Sequence, residues 1–336
     1  MTTEETKIQN HLVSVIIPVR NGEATLTKCF QGIRQQTISD NIEIIVLDSM
    51  STDKSRDMAN SFKANVIDIP EGTFNHGLTR NIGVEYAKGE LLYFTVQDAY
   101  LSEIDQLEKM VKHFDDEEVQ SVTGIQGIPS DVDKNPAIWF KRFSKPVPEI
   151  KQFDTSGFAK LGIEDKIKNA RWDNVNAMYR RSALEQLPFR ETDFAEDMLW
   201  AFDALQRGFK IIRDSSLLVY HYHHQTMSYA FKVNYIETYI LWKNFKVKPA
   251  LPSFFKPVLQ NVNTLFHRKQ LSLKEKILWS WHNLAKHIAG FISVTFFKAV
   301  RAVGSEVLID KTYHRLSSKI PLGRQAKVGG KLNSKK

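Results

Sequence analysis

The sequence predicts an α/β protein: a mostly parallel central sheet with helices on both faces, extended at the C-terminus by a basic helical region. Two observations carry this. Over residues 12–99, short apolar runs alternate with segments of helical spacing, the pattern of buried parallel strands joined by right-handed crossovers. Beyond residue 231 apolar residues recur three and four apart and the charge changes sign. Residues 231–336 hold 20 Lys and Arg against 4 Asp and Glu, a net +16, whereas residues 1–230 hold 26 against 34, a net −8.

The first run, residues 12–19 (LVSVIIPV), reads as a buried strand, and residues 23–36 follow as a helix with Leu26, Phe30 and Ile33 on one side. Residues 42–47 (IEIIVL) form a second strand ending at Asp48, and residues 49–53 (SMSTD) offer a turn and cap for a polar helix to about residue 63. A short strand over 66–69, a helix over 77–88 and a strand over 91–96 ending at Gln97-Asp98-Ala99 come next. A helix to about residue 114 and a strand over 119–126 complete the alternation. Residues 129–175 contain four of the eleven prolines and read as an insertion over the active face. Regularity returns at 176–179, with helices over 181–186 and 196–207 and a strand over 210–220. The expected organisation is a tail at 1–11 and an α/β domain at 12–230, divided near residue 99. A basic helical extension at 231–322 and a disordered tail at 323–336 follow.

Composition narrows the class. The chain has 336 residues, 42% of them hydrophobic, enough to bury a core. A single cysteine, Cys29, excludes a disulfide framework and a cysteine-only zinc site and fits a reducing compartment. The N-terminus is polar and acidic, unlike a secretory signal, and no run reaches the length of a spanning helix; residues 288–297 read as a buried or interfacial helix.

Ligands on such sheets sit beyond the carboxyl ends of the strands. Polar residues fall there: Arg20 and Asn21 after the first strand, Asp48 after the second, Asp98 after the fourth. A carboxylate at Asp48 can accept from a pyrimidine N–H or a ribose, and the same residue type also caps helices. Asp98 suits a hard divalent cation or a strand-end turn. His221, His223 and His224 follow the last strand; if that strand continues, His221 and His223 share one face. Glu196 and Asp197 open a helix, where acids also complement the helix dipole. Trp139, Phe140 and Trp172 are candidates for stacking on sugars or for core packing.

Taken together, Val15-Ile16-Ile17-Pro18-Val19-Arg20-Asn21-Gly22 and Ile45-Val46-Leu47-Asp48 with Ser51-Thr52-Asp53 resemble the opening of family 2 glycosyltransferases of the GT-A fold. Phe74-Asn75-His76-Gly77, Thr79-Arg80-Asn81-Ile82-Gly83, Gly89-Glu90 and Gln97-Asp98-Ala99 are similar to the bacterial rhamnosyltransferase-like branch. Ala195-Glu196-Asp197 through Trp200 and Val219-Tyr220-His221 continue the match, which covers residues 12–225. The resemblance implies an inverting transferase acting on a nucleoside-diphosphate sugar linked to dTDP or UDP, with rhamnose the favoured sugar. It implies a glycan or polyprenyl-linked acceptor in cell-surface polysaccharide synthesis. It assigns Asp197 as general base with Glu196 beside it, and Pro18, Arg20, Asn21, Asp48, His76, Arg80, Gln97 and Asp98 to the donor. A divalent cation, Mn2+ or Mg2+, would fall to Asp98 and His221, and the acceptor to Trp172, Asn176, Glu196 and Trp200. The family's first acid of an Asp-any-Asp triplet is replaced here by Val96, which leaves open a catalytically weak nucleotide-sugar-binding or scaffold protein of the same fold. A dinucleotide oxidoreductase is disfavoured because Arg20-Asn21-Gly22-Glu23 stands where a Gly-x-Gly-x-x-Gly turn is needed. The basic region, with Ile277, Leu278, Trp281, Phe291, Val294 and Phe297 at helical spacing among lysines, points to an anionic membrane surface rather than nucleic acid. The expectation is a cytoplasmic protein held peripherally at the inner face of the cell membrane; a homo-oligomer is compatible.

Overall fold

The computed structural model describes residues 12–128, 147–223, 226–253, 255–267 and 271–317. Trp139, Phe140, His224 and the two terminal tails lie outside them.

The strands are β1 (Val13–Val19), β2 (Ile42–Asp48), β3 (Asn65–Asp68), β4 (Leu91–Phe94), β5 (Tyr100–Leu101), β6 (Val119–Gly127), β7 (Glu149–Lys151), β8 (Ala177–Arg180) and β9 (Lys210–Tyr220). Among the described residues they form one sheet in the order β3-β2-β1-β4-β8-β6-β9-β5, with β7 also on β9. β1 runs parallel to β2 and β4, β2 to β3, and β6 to β9. β8 is antiparallel to both β4 and β6. The carboxyl ends of β1, β2, β4, β6 and β9 therefore share one edge, and the start of β8 joins them there.

The helices α1 (Leu26–Arg34), α2 (Ser55–Ser61), α3 (His76–Tyr86) and α4 (Gln106–Lys112) connect the first strands. Then come α5 (Thr155–Lys160), α6 (Ile163–Asn169), α7 (Arg181–Gln186) and α8 (Glu196–Gln206). Alternate residues of β1 divide between two cores. Val13, Val15, Ile17 and Val19 pack with Leu26, Phe30 and Ile33 of α1 and with Leu107 and Met110 of α4. Ile16 packs on the other face with Leu184 of α7 and Trp200, Ala204 and Leu205 of α8. This period of two is what a strand covered on both faces produces.

Four helices close the chain: α9 (Met227–Phe245), α10 (Phe255–His267), α11 (Leu273–Val303) and α12 (Glu306–Ser317). Ser272 and Glu275 form a capping box that starts α11. Tyr235, Ile236, Tyr239, Ile240, Phe297, Ile309 and Tyr313 make a third core, and Phe194, Ala195 and Met198 at the head of α8 pack against it. His314 also meets Asp193 at 2.8 Å, and Phe202 meets Phe245 with ring centroids 4.8 Å apart.

Three expectations change. The helix expected directly after Ala99 is preceded by β5, because Tyr100 and Leu101 pair with Tyr220 and Val219. The stretch read as an insertion contains β7, α5 and α6 in its described part; β7 pairs with β9 opposite Ile211 to Arg213. Val294 and Phe297, expected on a membrane-facing stripe, are buried instead.

Candidate active site

Three groups of side chains lie at the ligand edge. In the first, where β1 and β2 end, Asn21 adopts a left-handed backbone (φ 51°), and its Oδ1 accepts from the Thr52 amide at 2.8 Å. Its own amide donates to Ser51 Oγ at 2.9 Å, tying the two strand ends together. Asp48 is fully buried and accepts from Arg56 at 2.9 Å and from the Ser51 amide at 3.2 Å. Among the described residues its Oδ1 has no partner. A buried carboxylate oxygen without a donor is costly in a native fold, so this atom is suited to a ligand N–H or O–H. Asp48 does not cap α2; ahead of that helix Asp53 accepts from the Ser55 amide at 3.0 Å.

The second group stands at the ends of β4 and β9. His221 and His223 each present Nε2 to Asp98, both at 3.4 Å, one to each carboxylate oxygen. One ligand atom from each lies within 4.8 Å of the others. Burial alone would raise the Asp98 pKa, but the hydrogen bond from His221 and the charges of both imidazoles hold it below the ordinary carboxylate value. Burial lowers His223 and favours the neutral ring, the form that can bind a metal. One carboxylate and two imidazoles fit a borderline divalent cation such as Mn2+ better than Mg2+, which prefers oxygen alone. Behind His221 stands a supporting shell. Gln126 Nε2 donates to Asp173, which leaves Gln126 Oε1 to face His221 Nδ1 at 2.7 Å. With a cation in this group, a proton kept on Nδ1 by Gln126 would free the Nε2 lone pair for the metal.

The third group is the acid pair. Ala195, in a left-handed conformation (φ 62°), turns the chain into α8. Glu196 is buried and takes Arg80 at 3.1 Å and Asn174 Nδ2 at 3.0 Å, with His76 at 4.0 Å. Gly77 lets the backbone at Arg190 pass against the head of α3, since a Cβ there would lie 1.8 Å from the Arg190 carbonyl oxygen. Asp197 accepts from the amides of Asn174 at 3.1 Å and Met198 at 2.7 Å. The two acids are pushed apart. Burial would raise Glu196, but the charges of Arg80 and His76 prevail and hold it low. Burial, the Glu196 charge and the Asp173 charge all raise Asp197 well above the carboxylate range. His76 is lowered by burial to about 4 and is neutral near pH 7. Opposite shifts in adjacent carboxylates are how an environment assigns one to structure and one to proton transfer.

The structure sorts the remaining expected residues. Arg80 is buried against Glu196 and donates to the His76 carbonyl at 3.0 Å, so it faces the acid pair. Gln97 accepts from the Arg20 amide at 2.8 Å and donates back to its carbonyl at 3.3 Å, a latch between strand ends. Pro18 lies within β1 opposite Leu47. Trp200 is fully buried, bonded to the Leu187 carbonyl and stacked edge-on to Tyr179, with no surface for an acceptor. Asn176 is likewise buried, accepting from Tyr93 and donating to the Leu217 carbonyl. Trp172 is buried beside Tyr179. Sequence reasoning passed over Gln126, Asp173 and Asn174 and left His223 unassigned. The signal available was that Asp173 and Asn174 shortly precede the regular segment read at residues 176–179.

The sequence profile described as Glycosyl transferase family 2 matches residues 14–187, just over half the chain. The chain belongs to this family. Two relatives match a longer share of the chain. The O-antigen chain rhamnosyltransferase RfbN of Salmonella typhimurium is 33% identical over 219 residues, covering 64% of this chain and 67% of that protein. The O-antigen chain rhamnosyltransferase WbaN of Salmonella anatum is 34% identical over 230 residues, covering 67% and 70%. Among solved structures, a Pyrobaculum calidifontis mannosyltransferase in complex with GDP-Man and Mn2+ superposes with a TM-score of 0.53 at 17% identity. It covers 92% of this chain and 80% of its own. Residues 1–349 of S. aureus TarS, in complex with UDP-GlcNAc, give 0.50 at 18% identity, covering 90% and 79%. These two likenesses establish the GT-A-like fold of this family 2 glycosyltransferase, and no helix among its described residues is long and apolar enough to cross a membrane.

Proposed function

We propose that this glycosyltransferase transfers rhamnose from a dTDP-linked donor, with inversion, to a polyprenyl-linked glycan during surface polysaccharide synthesis at the inner face of the cell membrane. The rhamnosyltransferase relatives support the sugar and the pathway class. The observation that carries the chemistry is the opposite pKa displacement of Glu196 and Asp197 on the sheet edge that also carries Asp98, His221 and His223.

Asp197, its pKa raised by burial and by the Glu196 charge, accepts the proton of the acceptor hydroxyl. As the O–H bond breaks, that oxygen bonds to the anomeric carbon from the face opposite the diphosphate. The bond from the anomeric carbon to the diphosphate oxygen breaks, and its electron pair leaves on the nucleoside diphosphate. Glu196, held by Arg80 and Asn174, fixes the turn that carries Asp197. Asp48 Oδ1 receives the base N–H of the donor. Arg20 and Asn21 flank that pocket, and Trp172 serves the acceptor side. A divalent cation held by Asp98, His221 and His223 would neutralise the charge growing on the departing diphosphate.

The test offers dTDP-rhamnose and a set of UDP-sugars to the purified protein with a lipid-linked glycan acceptor and Mn2+. Transfer from dTDP-rhamnose with inverted anomeric configuration is expected. Transfer only from another donor overturns the sugar, retention overturns the mechanism, and donor binding without transfer to any acceptor establishes the scaffold reading.

A further inference from the structure

Helices α10 and α11 are built inside out. On α10, Phe255, Val258, Leu259, Val262, Leu265 and Phe266 recur three and four apart and form one stripe that faces away from the protein. Phe255 is 77% exposed, Leu259 69% and Phe266 72%. The residues α10 turns inward are largely polar. Thr264 is buried, Asn261 donates to the Ser280 carbonyl at 3.1 Å, and Gln260 faces His287 at 3.4 Å. α11 repeats the arrangement. Its covered side holds Asn283, Ala285, Ala289, Gly290 and Ser293, with Trp279, Val294 and Phe297 as apolar anchors. Its outer side carries Leu273, Ile277, Trp281, Leu284, Ile288 and Ile292. An apolar cleft of about 180 Å³, lined in part by Pro257, Val258, Leu284, Ile288 and Phe291, opens between the two helices.

An ordinary amphipathic helix buries its apolar stripe. A continuous exposed apolar face of this extent marks a binding surface. Charge selects the occupant. The two helices hold six Lys and Arg against one acid, Glu275. Lys256 and Lys274 are exposed beside Phe255 and Leu273, and Lys298 is exposed two residues after Phe296. A second copy of the chain would bring two cationic faces together, which opposes pairing, whereas an anionic surface complements both features at once. α11 has 31 residues but cannot cross a bilayer, so its stripe is matched to lying in the interface plane.

We propose that the α10–α11 hairpin docks in the plane of an anionic lipid bilayer, its apolar stripes entering the headgroup–acyl boundary and its lysines pairing with lipid phosphates. The orientation this imposes suits the lipid-linked acceptor, and that part rests on the function proposed above. α9 starts just after His223 of the metal-ligand group, and Phe231 in its second turn meets Phe296 of α11 at 6.0 Å. Ser293 donates to the Phe231 carbonyl at 2.8 Å. The docking helix is thereby braced on the first turns of the helix leaving the active edge.

The test uses the full chain, because Phe194 and Met198 pack on the C-terminal core and removing the helices would uncover them. The probe is co-sedimentation with phosphatidylcholine vesicles with and without phosphatidylglycerol, with no donor or acceptor present. The wild type is expected to pellet with phosphatidylglycerol vesicles and to release at high salt. The double variant Leu259→Glu/Trp281→Glu, at two exposed sites that leave the fold intact, is expected to lose about tenfold or more in partitioning. A Lys256→Gln/Lys274→Gln/Lys298→Gln variant is expected to lose the preference for phosphatidylglycerol. Wild type that stays in the supernatant, or a glutamate variant that pellets unchanged, overturns the proposal. So does a wild-type dimer that becomes monomeric in that variant while neither binds vesicles. Because no sugar enters the assay, its failure is separate from failure of the transferase reading, which a soluble acceptor tests with the same variants.

Discussion

The N-terminal sheet and the C-terminal hairpin use apolar residues in opposite ways. β1 buries all seven of its residues between two helical layers and leaves chemistry only where the strand ends. α11 turns small and polar residues inward and leaves large apolar ones in water. Apolar content therefore does not report burial. In the sheet it reports the core, and in the hairpin it reports a partner. The head of α8 lies between the two regions, with the acid pair on the sheet side and Phe194 and Met198 on the helical side.

The largest effect is expected where the sheet delivers its chemistry. Asp197→Asn should lower kcat by roughly two to four orders of magnitude while donor affinity, read by calorimetry, stays near wild type. The same change should stabilise the fold. A carboxylic acid whose folded pKa is raised contributes most below its unfolded value and loses that contribution as pH climbs through the folded one. The variant should therefore melt higher than wild type near neutral pH and equal to it in acid. In wild type the acidic limb of kcat/KM should lie above the ordinary carboxylate range, and a limb near pH 4 would remove Asp197 as the base.

Next in size are two changes that test burial on each side. Glu196→Leu leaves Arg80 buried and unpaired and should cost about 3–5 kcal/mol in urea unfolding, whereas Arg80→Met/Glu196→Leu should recover most of it. Failure of the double variant to recover would show that Asn174 and His76, not the ion pair, organise the turn. On the helical side, Phe297→Ala should cost about 3–5 kcal/mol and its neighbour Phe296→Ala about 0.5 kcal/mol or less. Similar costs at both would erase the inside-out contrast.

A smaller effect tests the support behind the metal ligands. Gln126→Leu should weaken Mn2+ binding by about 10–100-fold in a calorimetric titration without nucleotide, by freeing the His221 ring. Asp98→Asn should abolish the binding. An unchanged affinity for Gln126→Leu would mean that the ring is held by its packing against His223 alone.

Much of the site was legible because strand ends are legible. Asp48 and Asp98 were placed by where apolar runs stop, and Glu196-Asp197 by where a helix starts. What failed were readings that needed to know the side facing inward. Trp200 follows the acids at a spacing that suggests a site residue, yet one helical turn carries it into the second core beside Tyr179. Gln97 sits next to Asp98, but in the turn that follows β4 it points back at the Arg20 backbone.

By itself the sequence determined the parallel arrangement, the edge where ligands gather, the family and the cationic character of the C-terminal third. These follow from short-range patterns, since periodicity and punctuation act over a few residues. Only the tertiary structure decided that β8 runs against its neighbours, bringing Asp173 and Asn174 to that edge. It alone brought Gln126 and His221 together across 95 residues and turned the hairpin's apolar stripes outward. Pairings of that kind depend on which distant surfaces win the competition for contact, and a local pattern carries no term for the competitor.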